Sequence, residues 1–518
     1  MQKSLLFIGL FLCLHASAQL PEDALRSSWT TPSGTAREQA IGGAMGSLGG
    51  EISAGFVNPA GLGLYRTSEI VITPGWRFLM DKSKYLNTTT SGPSAQNFNL
   101  GTSGLVVGFP GQNPRVSNVF AIAVNRTADF NKNIHYSGEN DYSSFSEQWV
   151  EEFAASGKSI NDGIFNPGLS YGARMGLYTS QVDTATINGT LQVIGQPQKA
   201  GKLWQDNTLQ SSGGITEIDL SLASNHSDKW YLGGSLGLPI LNYTRNQTYT
   251  ESDLTGNPNN DFESFTYRET YTTKGFGVNA KLGAIFSPTP SLRIGLAIHT
   301  PSVYGLTDKI HASMVTRTEN YTSLKQVSIS SDSLDQISNI NPPVNSIDYD
   351  LHTPWKFLVS GSWIFGGGRT SIKQQKGFIT ADLEYITTRS SRFAAPTNSD
   401  GTSGDNSYYD QVNQAIKDNY KGTLGARLGG ELKFNTLMVR AGGAYYSSPY
   451  RDGGLKADRL FFSGGLGYRN KGFFVDLTYV MAFTRDIDVP YRLADKTNVY
   501  SELKETGGTV LMTVGIKL

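Results

Sequence analysis

The chain has 518 residues with 44 basic and 44 acidic side chains, so charged residues make up 17% of it and the formal net charge is zero. Soluble globular proteins carry about 25% charged residues and about 7% glycine, whereas this chain has 58 glycines, so a cytosolic enzyme is not expected. A neutral chain also lacks the basic surface that nucleic-acid binding requires. Beyond residue 20 no apolar run reaches about 18 residues, which excludes membrane helices but leaves a membrane β-barrel open.

The chain begins with the features of a secretory signal peptide. Lys3 supplies a positive charge, residues 5–14 are apolar, and Ala16-Ser17-Ala18 is a small-residue cleavage site. We therefore predict a signal peptide over residues 1–18. Its removal would also remove Cys13, the only cysteine in the chain, so neither a disulfide nor a thiolate metal site is expected.

Residues 19–68 contain no alternating segment and are rich in small residues. A glycine- and alanine-rich run, residues 41–50, is followed by residues 53–61 with the motif Asn58-Pro59-Ala60-Gly61. Glycine permits close backbone packing, and Asn-Pro favours a turn. The composition predicts a compact unit that packs closely against its surroundings.

The rest of the chain is predicted to consist of β-strands. In several segments apolar residues alternate with small, polar or charged ones, which is the period of a strand, and we count fourteen candidate strands. Their approximate bounds are 69–82, 96–109, 117–130, 211–223, 229–250, 262–287, 291–325, 352–366, 376–388, 421–434, 437–446, 458–470, 472–484 and 507–518. A charge facing lipid at mid-membrane costs roughly 2 to 4 kcal/mol, so the apolar face must meet lipid and the charged face the lumen. The predicted fold is all-β, a 14-stranded antiparallel transmembrane β-barrel over residues 69–518.

The connections after even-numbered strands differ in length from those after odd-numbered strands. Those after even-numbered strands are short, whereas long ones follow the third, seventh and ninth strands at about 131–210, 326–351 and 389–420. Outer-membrane barrels have short periplasmic turns and long extracellular loops. We therefore predict a multi-pass barrel in a bacterial outer membrane with these three extracellular loops, in contact with outer-membrane lipid.

The final strand alternates up to the last residue. Val510, Met512, Val514, Ile516 and Leu518 lie on one face, which resembles the signal that the outer-membrane assembly machinery recognises. A soluble edge strand is the alternative, although its apolar face would need cover from another layer.

Two stretches inside the predicted loops have helical spacing. Phe145, Trp149 and Phe153 fall at i, i+4 and i+8, as do Val412, Ile416 and Tyr420. One interpretation is that these helices pack on the rim of their own barrel. The other is that these aromatic faces collect an apolar ligand outside the cell.

The predicted lumen face carries charges of both signs. They are Lys281, Arg293, Arg427, Lys433, Arg440 and Lys517 against Asp382, Glu384, Glu431 and Asp476. These side chains could pair in a ladder that stiffens the barrel. Alternatively, one or two of Arg293, Arg427 and Arg440 could remain unpaired and bind a ligand carboxylate, which matches the guanidinium fork.

Catalytic and metal chemistry find little support. Gly233 to Gly237 formally matches a hydrolase nucleophile elbow around Ser235, but that motif needs a sharp strand-to-helix turn, and here Pro239 follows within an alternating segment. The six histidines are scattered without ligand spacing. We predict no enzyme activity, no catalytic residue, no metal and no cofactor.

Fourteen strands enclose a lumen wider than side chains can fill, so residues 19–68 are predicted to be a plug, or hatch, inside it. Their Gly/Ala-rich run and Asn58-Pro59-Ala60-Gly61 resemble the hatch of the long-chain fatty acid outer-membrane transporters (FadL/TodX type). The stretches 274–279 and 353–355 are similar to the middle of that family's barrel, and 440–450 to its C-terminal half.

The resemblance implies passive uptake of hydrophobic small molecules, with long-chain fatty acids as the favoured ligand. In that family the ligand is caught by extracellular loops, passes the hatch and leaves sideways through a gap at a kinked third strand. The predicted third strand, 117–130, contains neither Gly nor Pro, so its sequence does not predict a kink. A structural or adhesive barrel acting through its long loops is the alternative function, followed by an outer-membrane lipase.

Overall fold

A computed structural model of the chain describes residues 19–28, 32–110, 116–321, 323–341, 343, 345–366, 375–396 and 404–518. The predicted signal peptide, residues 1–18, lies outside the described residues. Within those ranges, no helix is both long enough and apolar enough to cross a membrane.

Most of the described residues are in β-strands. The strands are β1 Glu69–Ile72, β2 Pro74–Tyr85, β3 Thr88–Ser91, β4 Ala95–Leu100, β5 Ser103–Pro110, β6 Val116–Asp129, β7 Lys132–Asn140, β8 Val182–Ile187, β9 Thr190–Gly195, β10 Leu203–His226, β11 Trp230–Asp253, β12 Ser264–Phe286, β13 Leu292–His299, β14 Val303–Arg317, β15 Gln326–Ser330, β16 Ser346–His352, β17 Lys356–Phe365, β18 Gly377–Ile386, β19 Arg392–Ala394, β20 Thr423–Phe434, β21 Leu437–Tyr446, β22 Arg459–Asn470, β23 Phe473–Asp488 and β24 Ser501–Lys517.

The helices lie in the N-terminal segment and in the long loops. They are α1 Pro21–Ser28, α2 Ala36–Ala40, α3 Ala54–Val57, α4 Glu147–Ser156, α5 Ile160–Phe165, α6 Tyr171–Tyr178, α7 Pro197–Ala200, α8 Ser331–Ile337 and α9 Ser407–Asn419, together with 3₁₀ turns at Pro59–Leu64 and Thr388–Ser390.

The strands form one closed antiparallel barrel. Its last strand, β24, pairs with the first, with Glu69 opposite Lys517 and Gly75 opposite Leu511. In the described ranges several of the fourteen barrel strands consist of more than one segment, including the first (β1, β2), second (β5, β4, β3), third (β6, β7), seventh (β13, β14), eighth (β17, β16) and ninth (β18, β19). The predicted fold class is confirmed, and each predicted strand overlaps an observed one.

The outer face of the barrel is apolar at the height of the membrane. Leu296 is 54% exposed, Leu428 58% and Leu477 50%, whereas Asp382 and Asp476 point inward and are 1% exposed. A closed barrel satisfies its backbone hydrogen bonds without water, which is what the hydrocarbon core demands. An apolar belt around such a barrel is the structure of an outer-membrane protein, so the predicted location is confirmed.

Residues 36–60 pack against the inner face of the barrel where the wall lacks side chains. A Cβ atom added to any of six lumen-facing glycines would overlap this segment or come into close contact with it: Gly233 against Pro59, Gly283 against Asn58, Gly295 against Gly46, Gly429 and Gly442 against Ile41, and Gly465 against Ala40. Wall hydroxyls complete the attachment, since Ser47 Oγ lies 2.6 Å from Ser362 Oγ and Thr478 Oγ1 donates to Ala36 O at 2.6 Å. Glycines in the wall and small residues in the N-terminal segment thus both allow the two backbones to approach closely.

The long loops fold back onto the barrel. The predicted helices are confirmed as α4, which contains Trp149 and Phe153, and α9, which contains Val412 and Ile416. The predicted first loop, 131–210, was wrong at both ends, because β7 continues the third strand to Asn140 and β10 begins at Leu203. Similarly, β16 begins at Ser346 inside the predicted second loop.

Candidate ligand cavity and seam in the barrel wall

A cavity of about 270 Å³ lies in the lumen between α1 and the third barrel strand. Its apolar lining includes Leu20, Leu25, Leu79, Ala128, Phe130, Ile134, Leu209, Tyr243, Phe461, Val480, Ala482, Ile487, Val489 and Leu503. Its charged lining comprises Arg26, Arg77, Arg126, Lys132, Arg245, Arg459, Arg485 and Arg492 with Glu22, Asp23, Asp129, Asp486, Asp488 and Glu505. The cavity therefore combines apolar surface with a slight excess of cations.

Helix α1 and the residue before it form one side of this cavity and are held by side chains of β14, α9 and β11. Gln19 Nε2 donates to Asp308 Oδ2 at 2.9 Å, and Tyr408 Oη donates to Gln19 O at 2.9 Å. The guanidinium of Arg26 lies 3.7 Å from the centre of the Tyr243 ring. The position of α1 thus depends on side chains of two barrel strands and of the loop helix α9.

The barrel wall beside the cavity is not fully hydrogen-bonded. The ladder between β5 and β6 ends at the pair Ser103 and Val124, and beyond it β4 pairs with β2 on its other side. Within the described ranges, no backbone ladder joins β4 to β6 or β7. We call the boundary between β4 and residues 125–129 the seam.

The third barrel strand is irregular at this level. Its register against β10 shifts between Ile215 and Thr216, so that Thr127 forms a bulge. Gly213, with φ of +103°, offers its carbonyl to Phe130 N at 2.9 Å and to the Arg126 guanidinium. The sequence of the third strand does not predict this bulge, because the glycine with positive φ lies on the fourth strand rather than on the third.

Side chains bridge the seam in place of the missing ladder. Asp129 Oδ1 lies 2.8 Å from Arg77 Nη1 of β2, and Asn97 Nδ2 of β4 donates to Asp129 Oδ2 at 2.6 Å. Arg126 Nε lies 3.9 Å from the same carboxylate. Asp129 is therefore the residue that connects the two edges.

A second cavity of about 130 Å³ lies deeper in the lumen and shares Pro32 with the first. Its lining includes Lys281, Lys356, Arg427 and His299 together with Glu38, Glu217 and Glu384. This space is more polar than the cavity beside α1. Its charges are largely engaged, as Lys281 Nζ contacts both Glu217 and Asp219.

The predicted hatch residues form a tight turn against the wall. Asn58 Nδ2 donates to Gly46 O at 2.5 Å and Asn58 Oδ1 accepts from Ala60 N at 3.2 Å. The amide also reaches Leu296 O on β13 at 3.3 Å, and Gly61 O accepts from Gly50 N at 2.9 Å. Asn58, Pro59, Ala60 and Gly61 are all buried, so they join two parts of the N-terminal segment to the barrel.

The three arginines considered for a ligand carboxylate lie away from the cavity beside α1. Arg440 is buried between Glu431 and Asp476, at 2.6 Å from each. Arg427 pairs with Glu384 at 3.2 Å and with Asp382 at 3.8 Å. For these two the assumption of an unpaired guanidinium was wrong, because acids on neighbouring strands neutralise them. Arg293 instead donates to Leu48 O at 2.5 Å and so holds the N-terminal segment.

The aromatic residues of the first loop pack inward. Phe145, Trp149 and Phe153 are each at most 4% exposed, and the Phe145 ring stacks on Tyr249 of β11 with centroids 4.1 Å apart. Helix α4 therefore packs on its own barrel, as the first interpretation predicts. These rings form the core under the loop, and their role in collecting an apolar ligand stays a prediction.

Ser235 lies within the long strand β11 and donates to Gly55 O at 3.2 Å. The strand continues through Pro239 to Asp253. The backbone at Ser235 is thus extended, and its hydroxyl helps to attach the N-terminal segment.

No family model matches the chain, and no curated protein matches it. Two solved structures share its fold along nearly its whole length. A Pseudomonas aeruginosa FadL homologue is 13% identical with a TM-score of 0.54, covering 94% of this chain and 99% of its own. The P. putida toluene transporter TodX is 12% identical with a TM-score of 0.51, with the same coverage.

These comparisons and the geometry define the class of protein. The chain is a 14-stranded outer-membrane β-barrel with the fold of the FadL homologue and TodX, and the predicted resemblance is confirmed at the level of the fold.

Proposed function

We propose that this protein is a passive outer-membrane channel for the uptake of hydrophobic small molecules. The observation that carries the proposal is a cavity with a large apolar lining that borders an unpaired seam in the barrel wall. Such a cavity can shelter an apolar molecule from water, and the seam offers a sideways route into the membrane. The FadL homologue and the toluene transporter that share the fold support this class of ligand.

Long-chain fatty acids are the favoured ligand within this proposal. The cavity lining includes eight cationic and six acidic residues beside its apolar surface. Its cations can therefore bind the head group of an anionic amphiphile while its apolar side chains contact the alkyl chain. Residues 19–68 act as the hatch, and the ligand enters through the extracellular loops and leaves at the seam. The protein performs no catalysis in this proposal.

The first test is binding to the folded, detergent-purified barrel. Heat-modifiable gel mobility identifies folded protein, which is then titrated with a fluorescent long-chain fatty acid. We expect saturable binding that Asn58→Ala and Pro59→Ala weaken several-fold (~1 kcal/mol), because Asn58 links Gly46, Ala60 and the wall.

The matched control is Asn118→Ala, an exposed strand residue, which should leave binding unchanged. A folded barrel that binds no fatty acid would overturn the fatty-acid assignment. The long loops would then be the surface to examine for an adhesive role.

A further inference from the structure

Asp129 lies where a ligand leaving the cavity would meet the wall. Its carboxylate contacts Asn97 of β4, on the far edge of the seam, and Arg77 of the neighbouring strand β2, and it is buried. On its own edge it accepts from Asn131 N at 3.0 Å and from Asn131 Nδ2 at 2.9 Å. This carboxylate therefore has one set of donors across the seam and another beside it.

The two guanidiniums at the seam outnumber the carboxylate. Arg77 and Arg126 both line the cavity, and Arg126 Nε has no hydrogen-bond partner in the described part of the chain. Arg126 Nε is also 3.9 Å from Asp129, which is beyond hydrogen-bond distance. The seam therefore retains donor capacity for a second anion.

The surroundings suit an anion attached to an alkyl chain. Leu79, Ala128 and Phe130 line the cavity beside these cations. On the outer surface Trp76 is 49% exposed and Phe98 59%, so the seam is flanked by lipid-facing aromatic rings. An alkyl chain can therefore contact apolar side chains in the cavity or on the outer surface of the barrel while its head group stays at Arg77 and Arg126.

We propose that Asp129 is an internal stand-in for the carboxylate of the ligand. The ligand carboxylate takes the guanidiniums of Arg77 and Arg126, Asp129 remains with Asn131, and the contacts across the seam are released. This inference rests on the proposed function and sharpens its substrate class, because it selects amphiphiles with a carboxylate over neutral hydrocarbons. Asp129 is thus a specificity-determining residue.

The test compares two ligands of equal chain length, dodecanoate and dodecanol, with the folded full-length barrel. Asp129→Asn removes the internal competitor, so the dissociation constant for dodecanoate should fall about tenfold while that for dodecanol stays the same. Arg77→Gln and Arg126→Gln should each weaken dodecanoate binding without affecting dodecanol. Equal shifts for the two ligands, or no shift for dodecanoate, would overturn the exchange.

Asp228→Asn is the matched control. This substitution breaks the ion pair between Asp228 and Arg66, which lies at the exposed turn between β10 and β11. That turn is at the opposite end of the barrel from the long loops. The substitution should change neither affinity. If Asp129→Asn fails to fold, as judged by gel mobility, Arg126→Gln still tests the exchange because it leaves the pair of Arg77 with Asp129 in place.

A disulfide across the seam separates this inference from the proposed function. Cys13 is the only cysteine of the chain, so Asn97→Cys with Asp129→Cys, placed in a Cys13→Ala background, introduces the sole thiol pair. We expect oxidation to stop dodecanoate passage into a bilayer and reduction to restore it. Passage through the oxidised seam would overturn the lateral route itself. A blocked oxidised seam combined with equal ligand shifts in Asp129→Asn would overturn the carboxylate exchange alone.

Discussion

Single glycines determine how closely the N-terminal segment approaches the wall. At Gly442 an added Cβ would lie 2.2 Å from the carbonyl carbon of Ile41 and 2.3 Å from Gly42 N, both of them backbone atoms. Backbone cannot turn aside as a side chain can, so a methyl group there must displace the segment.

Gly442→Ala is therefore expected to destabilise the folded barrel by about 1 to 3 kcal/mol, the usual cost of overpacking. Gly464→Ala is the control, because its Cβ would have Arg440 O at 3.8 Å as its nearest neighbour. The measurement is the temperature at which the folded band disappears on a gel. Equal temperatures for the two variants would show that the segment is not tightly packed at Ile41.

The buried charges show what sequence alone could predict at the residue scale. Alternation placed Arg427 and Arg440 on the lumen face, and the structure confirms this orientation. It could not identify their partners, because Glu431 lies opposite Arg440 only through the register between β20 and β21. Asp129 was missed entirely, since its importance comes from Arg77 and Asn97, which are distant in the chain.

At the scale of elements, alternation predicted the strands well wherever lipid imposes an apolar face. It failed for β7, whose residues 132–140 are mostly polar because this part lies beyond the apolar belt. It also failed at the bulge of the third strand, where Gly213 of the neighbouring strand has a positive φ. A pattern read along one strand does not report an irregularity supplied by its neighbour.

The start of helix α4 depends on one buried carboxylate above the membrane. Glu251, near the C-terminal end of β11, accepts from Phe145 N at 2.7 Å, Ser144 Oγ at 2.6 Å and Gln205 Nε2 at 2.7 Å. Burial raises the pKa of Glu251 to about 7, whereas glutamate in an unfolded chain titrates near ~4.3. The folded loop therefore binds this proton more tightly than the unfolded loop does.

Because the folded loop binds the Glu251 proton more tightly than the unfolded loop does, the stability of the loop falls as the pH rises. The stabilisation is fully present below about pH 4.3 and is lost as the pH rises through about 7. Amide exchange over residues 143–156, corrected for intrinsic rates, should show weaker protection at pH 8 than at pH 6. Glu251→Gln should remove the difference, whereas Glu263→Gln, which changes an exposed residue, should retain it. A pH difference that persists in Glu251→Gln would assign it to another group.

At the scale of the whole molecule, the N-terminal segment is fastened to the barrel wall, whereas the cavity and the seam lie where fewer backbone contacts hold the structure. Residues 36–60 are fastened to the wall by glycine contacts and by Ser47, which contacts both Ser360 and Ser362. The cavity and seam lie beside α1 instead, where side chains rather than packed backbone hold the structure. A sideways exit therefore requires no displacement of the fastened part.

This arrangement predicts that locking the fastened part leaves passage intact. Ser47 Oγ and Ser362 Oγ are 2.6 Å apart, so Ser47→Cys with Ser362→Cys in a Cys13→Ala background can join the segment to β17. Uptake of a fluorescent fatty acid into proteoliposomes should be the same for the oxidised and reduced forms. If the ligand instead passed straight down the lumen, the segment would have to move aside, and oxidation would block uptake until reductant restored it. The comparison thus distinguishes a route through the wall from a route past the N-terminal segment.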